Sequence, residues 1–94
     1  MKKVYMITTT TCSVCKMLKP MVNKFVGSSN CELIVENADE NPSDEVSALL
    51  KKYSIKTVPA FFFMHNNKEI ASHFGAISVP DLKKYITKLE NYVD

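Results

Sequence analysis

Ninety-four residues, 46% of them hydrophobic, suffice for one packed core and are too few for two, so residues 1–94 read as one globular domain. The formal charge of +2, from twelve lysines against ten acidic residues with no arginine, supplies neither a basic stripe nor bidentate donors, which argues against nucleic acid as a ligand. No apolar run approaches the roughly eighteen residues of a membrane span, and the apolar stretch behind Met1-Lys2-Lys3 is too short for the core of a signal peptide. The chain reads as soluble and cytoplasmic, with no membrane association. Its three cysteines cannot all pair within the chain, which argues against a secreted disulfide scaffold.

Taken in chain order, Lys3 to Thr8 is rich in Val, Tyr, Ile and Thr, as a buried central strand would be. From Cys12 the period changes. Cys15, Leu18, Met21, Val22, Phe25 and Val26 share one face at helical spacing, and Gly27 to Asn30 ends the helix. Leu33 to Val35 is a second short strand. Asn41 is expected to cap the next helix with Pro42 at its first position, and Val46, Leu49, Leu50 and Tyr53 form that helix's apolar face. Ala60 to Met64 is the most strand-like run, and Asn66-Asn67 reads as a hairpin turn returning through Glu69 to Phe74. Ser78 with Asp81 caps a last helix whose apolar face is Val79, Leu82, Ile86, Leu89 and Val93. The order β-α-β-α-β-β-α predicts an α/β fold, a mixed four-stranded sheet flanked by three helices.

The chemistry sits between the first strand and first helix, in Thr8 to Pro20, TTTTCSVCKMLKP. Two cysteines at this spacing can exchange electrons, hold a metal or staple the chain. If the helix starts at Cys12, its sulfur lies at the N-cap beside unpaired N–H groups and the positive end of the dipole. That placement lowers a thiol pKa from ~8.5 toward ~7 or below, with Lys16 and Lys19 adding a little. Cys15, one turn on and on the buried face, comes within bonding reach and can resolve a mixed disulfide formed at Cys12. A bridge closing so small a loop restricts the unfolded chain least, so its value lies in reversibility rather than in stapling. A Thr-rich loop before CxxC also resembles small copper-binding domains, and two thiolates suit Cu(I), which leaves a metal chaperone-like module as the alternative. Zinc has no second cysteine pair to complete its ligands, so no metal site is expected.

Five features in order resemble the thioredoxin superfamily, closer to thioredoxin than to glutaredoxin: Cys12-Ser13-Val14-Cys15-Lys16-Met17, the helix proline Pro20, Asp39-Glu40-Asn41-Pro42, Thr57-Val58-Pro59, and Gly75-Ala76. The resemblance spans about Val4 to Tyr92. It implies a thioredoxin-like fold lacking the N-terminal βα unit of the full-length proteins, as in small glutaredoxin-like thioredoxins. It also implies a protein-disulfide reductase with Cys12 as nucleophile and Cys15 as resolving thiol. Pro59 is then a cis-proline, and Ser13, Val14, Thr57, Val58, Pro59, Gly75 and Ala76 meet the substrate. No cofactor is bound. Electrons reach the Cys12–Cys15 pair from a thioredoxin-reductase-like flavoprotein, protein disulfides are the substrates, and the chain is a monomer.

Three departures stand out. Thr11 replaces the tryptophan before the first cysteine, Ser13-Val14 replaces Gly-Pro, and Met6 and Val35 stand where thioredoxins pair a buried aspartate with a lysine. Losing both charges together avoids one unpaired buried ion, and slower turnover is expected because no carboxylate takes the proton from Cys15. The remaining candidates read blandly. Cys31 is small filler, His65 and His73 are surface or edge residues, Phe61 to Phe63 is core, and Val14, Val58 and Ala76 are a candidate apolar rim around Cys12.

Overall fold

The computed structural model describes residues 2–55 and 57–93. Strand β1 (Lys2–Thr8) leads to α1 (Ser13–Gly27), β2 (Glu32–Asn37), α2 (Asp44–Tyr53), the hairpin of β3 (Ala60–His65) and β4 (Lys68–Phe74), and finally α3 (Val79–Glu90). The sheet order is β2-β1-β3-β4, with β1 and β2 parallel and the other two pairings antiparallel. The expected mixed four-stranded sheet with three helices is what the chain forms.

Burial follows position in the sheet. Val4, Tyr5, Met6 and Ile7 of β1 and Ala60 to Met64 of β3 are buried, because strands in the middle of a sheet covered on both faces have no solvent side. The edge strand β2 is only partly buried, which is why its apolar run is short. Alternation divides the interior into two clusters. Val4, Met6, Phe61 and Phe63 pack with Cys15, Val22 and Val26 of α1 and Leu82, Ile86 and Leu89 of α3. Tyr5, Ile7, Phe62 and Met64 pack on the opposite face with Val46 and Leu49 of α2.

The hairpin forms as its sequence dictates. Asn66 and Asn67 connect paired residues His65 and Lys68 with φ of +48° and +69°, the left-handed geometry of a two-residue turn that asparagine tolerates. Two expectations need correction. Asn41 does not cap α2: it turns through φ +49°, Pro42 precedes the cap, and Ser43 caps instead, its hydroxyl accepting the Val46 N–H at 3.2 Å. The Ser43 N–H also donates to a Glu36 carboxylate oxygen at 2.6 Å, which fixes where the helix begins. Val93 is not on the α3 face, since the helix stops at Glu90 and Val93 is 85% exposed.

Candidate active site

Helix α1 begins at the cysteines. Cys12 has extended geometry at the N-cap, and its Sγ accepts the Cys15 backbone N–H at 3.1 Å. The cap is usually an oxygen; sulfur does the same work here, closing one of the four unpaired N–H groups at the helix start. Further along, the helix runs unbroken through Pro20. The two side chains form a disulfide with Cα atoms 5.3 Å apart. Their surroundings differ sharply: Cys15 is 3% exposed, whereas Cys12 is half-buried and packs at the edge of the same cluster. An incoming thiol or disulfide can therefore reach Cys12, while Cys15 is shielded.

A second segment approaches from the hairpin. The Val58–Pro59 peptide bond is cis, as the resemblance implied. Pro59 is buried, and its carbonyl accepts the Gly75 N–H at 2.7 Å, joining the segment before β3 to the segment after β4. Gly75 holds φ +94°, a conformation that L side chains rarely adopt, and the methyl of Thr57 lies 3.8 Å from where its Cβ would be. The structure thus brings Thr57, Pro59 and Gly75 together at one junction, and Val58 packs on the cluster that holds Cys15 and Cys12. Ser13, Val14, Thr57 and Ala76 are exposed, Val14 at 42%, while Val58 and Gly75 are half-buried.

Beside the pair lies an open cleft of about 320 Å³ lined by Thr8, Thr9, Thr10, Cys12, Cys15, Lys16, Lys19, Val35 and Asn37. Of the four threonines before Cys12, three make one wall of this cleft. Met6 lies directly across from Val35 in the β1–β2 ladder, and both belong to the core on the α1 face. The floor beneath Cys15 is therefore apolar, with no ionisable side chain among the cleft residues except the cysteines and two lysines. Two carboxylates of the loop after β2 are engaged with Thr10 instead. Asp39 takes the Thr10 N–H at 3.3 Å, and Glu40 the Thr10 hydroxyl at 3.5 Å.

Cys31 is buried and unbridged, and burial pushes its thiol up from the ordinary value, which suits packing rather than reactivity. His73 lies on the edge strand β4 and His65 at the end of β3, both half-buried; the first packs on Phe61 and Tyr85, the second on Tyr92. Among the described residues, no three His, Cys, Asp or Glu side chains are grouped to hold a metal. No helix is long and apolar enough to cross a membrane among those residues.

Residues 3–88 match the family model for thioredoxin, and the chain belongs to the thioredoxin family. It is 31% identical over 77 residues to a thioredoxin of Buchnera aphidicola subsp. Baizongia pistaciae, an alignment covering 80% of this chain and 66% of that protein. The chain spans about two thirds of the length of the curated relatives it matches. Among solved structures, a mutant thioredoxin from Halobacterium salinarum superposes with a TM-score of 0.80 at 20% identity, covering 99% of this chain and 78% of that one. Thioredoxin O2 from Arabidopsis thaliana in its oxidized state gives 0.76 at 20% identity, covering 96% and 76%. These likenesses establish the fold. Family membership with a bridged Cys12–Cys15 pair supports thiol–disulfide exchange as the chemistry.

Proposed function

We propose that the chain is a single-domain thiol–disulfide oxidoreductase that reduces protein disulfides. The observation that carries this reading is the asymmetry of the pair: an accessible Cys12 whose sulfur caps α1, bridged to a buried Cys15. In the dithiol form the Cys12 thiolate attacks a target disulfide, forming a mixed disulfide and expelling one target thiolate. Cys15 gives its proton to water or to the first expelled target thiolate and attacks the Cys12 sulfur, and the second target thiolate leaves. The target gains two electrons and the protein is left with the Cys12–Cys15 bridge.

Ser13, Val14 and the backbone of Thr57, Val58, Pro59, Gly75 and Ala76 form the surface on which the target lies. No cofactor is held. A thioredoxin-reductase-like flavoprotein returns the electrons, and the protein works as a monomer in a reducing cytoplasm. The test is the redox state of Cys12 and Cys15 in buffers of set thiol–disulfide ratio, read by alkylation and mass spectrometry. A two-electron transition near ~−270 to −200 mV is expected for a reductant, and one near ~−120 mV would make the protein an oxidant. Absence of a reversible bridge would overturn the redox reading and leave the cysteines to Cu(I).

A further inference from the structure

We propose that His73 is a positioning residue for the target-binding rim, holding the Gly75–Ala76 segment through the carbonyl of Ala76; this inference rests on the reading that targets meet that rim. The Nε2 atom of His73 lies 2.9 Å from the Ala76 carbonyl oxygen. A carbonyl can only accept, so Nε2 carries the proton and donates it. The bond closes a turn around Gly75, whose own N–H donates to the Pro59 carbonyl at 2.7 Å. One side chain and one backbone bond therefore fix both ends of the same short segment, one tied to β4 and the other to the cis-proline.

The ring cannot swing away easily. Its centroid lies 6.3 Å from that of Phe61 and 5.7 Å from that of Tyr85, so it is wedged between the β3 core and α3. His73 faces Phe61 across the β3–β4 ladder, on the side of the sheet where Cys15 is buried. Ala76, by contrast, is exposed. Without a donor at Nε2 its carbonyl would turn to water and the exposed residue would sample several conformations. A target chain would then have to order it on binding, which raises the cost of association without touching the cysteines.

The prediction separates binding from chemistry. His73→Phe keeps a ring against Phe61 and Tyr85 and removes the donor. His73→Gln places an amide nitrogen near the Nε2 position and keeps it. Turnover is followed with a protein disulfide, that of insulin, and with a small aromatic disulfide that does not span the rim, the dithiol being regenerated chemically. His73→Phe should raise KM for the protein substrate by about three- to tenfold, the loss typical of one hydrogen bond, with kcat and the small-disulfide rate unchanged. His73→Gln should recover most of that KM. Equal KM for wild type and His73→Phe overturns the inference, as does a fall in the small-disulfide rate that matches the fall with protein. Small-disulfide turnover with unchanged protein KM would leave the oxidoreductase reading standing while removing this one; wild-type protein inert toward both substrates would remove both.

Discussion

At the scale of single residues, the two members of the pair differ in their surroundings. The same helical turn leaves Cys12 half-buried and Cys15 buried, so in the proposed exchange attack and resolution would fall to different sulfurs. Cys15→Ser should accumulate a stable mixed disulfide between Cys12 and a target, visible as a mass adduct on nonreducing gels, whereas Cys12→Ser should form none. Buried Cys31, its thiol pushed up by desolvation, should remain unlabelled by alkylating agents at neutral pH in the folded protein. Resolution poses a sharper problem. A thiolate forming at Cys15 meets Met6 and Val35 on the sheet side, and the positive charges lining the adjoining cleft belong to Lys16 and Lys19. Lys19 lies four residues after Cys15, on the same helix face. Lys19→Met should slow release of thiopyridine from a Cys12 mixed disulfide by about threefold at low salt, with less effect at high salt where exposed charges are screened. Identical release rates for the two proteins at low salt would deny Lys19 that role.

At the scale of elements, periodicity and turn chemistry carry most of the information. The apolar face of α1, the hairpin at Asn66-Asn67 and the caps at Cys12 and Ser78 are local signals, each written in a few neighbouring residues. The start of α2 is not such a signal, because two cap-competent residues flank Pro42 and the choice between them is tertiary. Glu36, on β2, holds the Ser43 N–H, and only the folded sheet brings it there. Ser43→Ala should destabilise the protein by about 1 kcal/mol in urea unfolding, while Asn41→Ala should cost less through loss of a cap, its cost being the left-handed φ instead. The active site is legible in part for the same reason. Spacing alone points to Cys12 and Cys15, and family pattern to Pro59 and Gly75. The threonine wall of the cleft and the His73–Ala76 bond are not legible, because they depend on which side chains converge from different strands and loops. Nothing in the local sequence marks a histidine near the end of a strand as a brace.

For the molecule as a whole, two helical layers are tied to one sheet, and two of the ties to α2 are titratable tyrosines. Tyr5 sits on central β1, 1% exposed, and its hydroxyl donates to the Glu45 carboxylate on α2. Burial raises its pKa well above the ordinary value of 10.0, and the hydrogen bond and charge of Glu45 push in the same direction. Tyr53, bonded to Glu69 across from α2 to β4, is raised as well, chiefly by that bond. A phenol whose pKa is higher folded than unfolded keeps its proton in the native state while the unfolded chain releases one. Stability from such a group is complete below pH ~10 and is lost as pH rises through the folded value. Between about pH 9 and pH 11 the Tyr5 contribution should fall by about 1 kcal/mol. Tyr5→Phe removes the titration, so its unfolding free energy should decline less steeply over that interval, even though it starts lower at neutral pH for want of the Glu45 bond. Urea unfolding of both proteins at the two pH values tests this by the difference of differences, which cancels lysine titration common to both. Parallel declines would mean that Tyr5 ionises alike in folded and unfolded chains, and that its bond to Glu45 adds no pH-dependent tie between the sheet and α2.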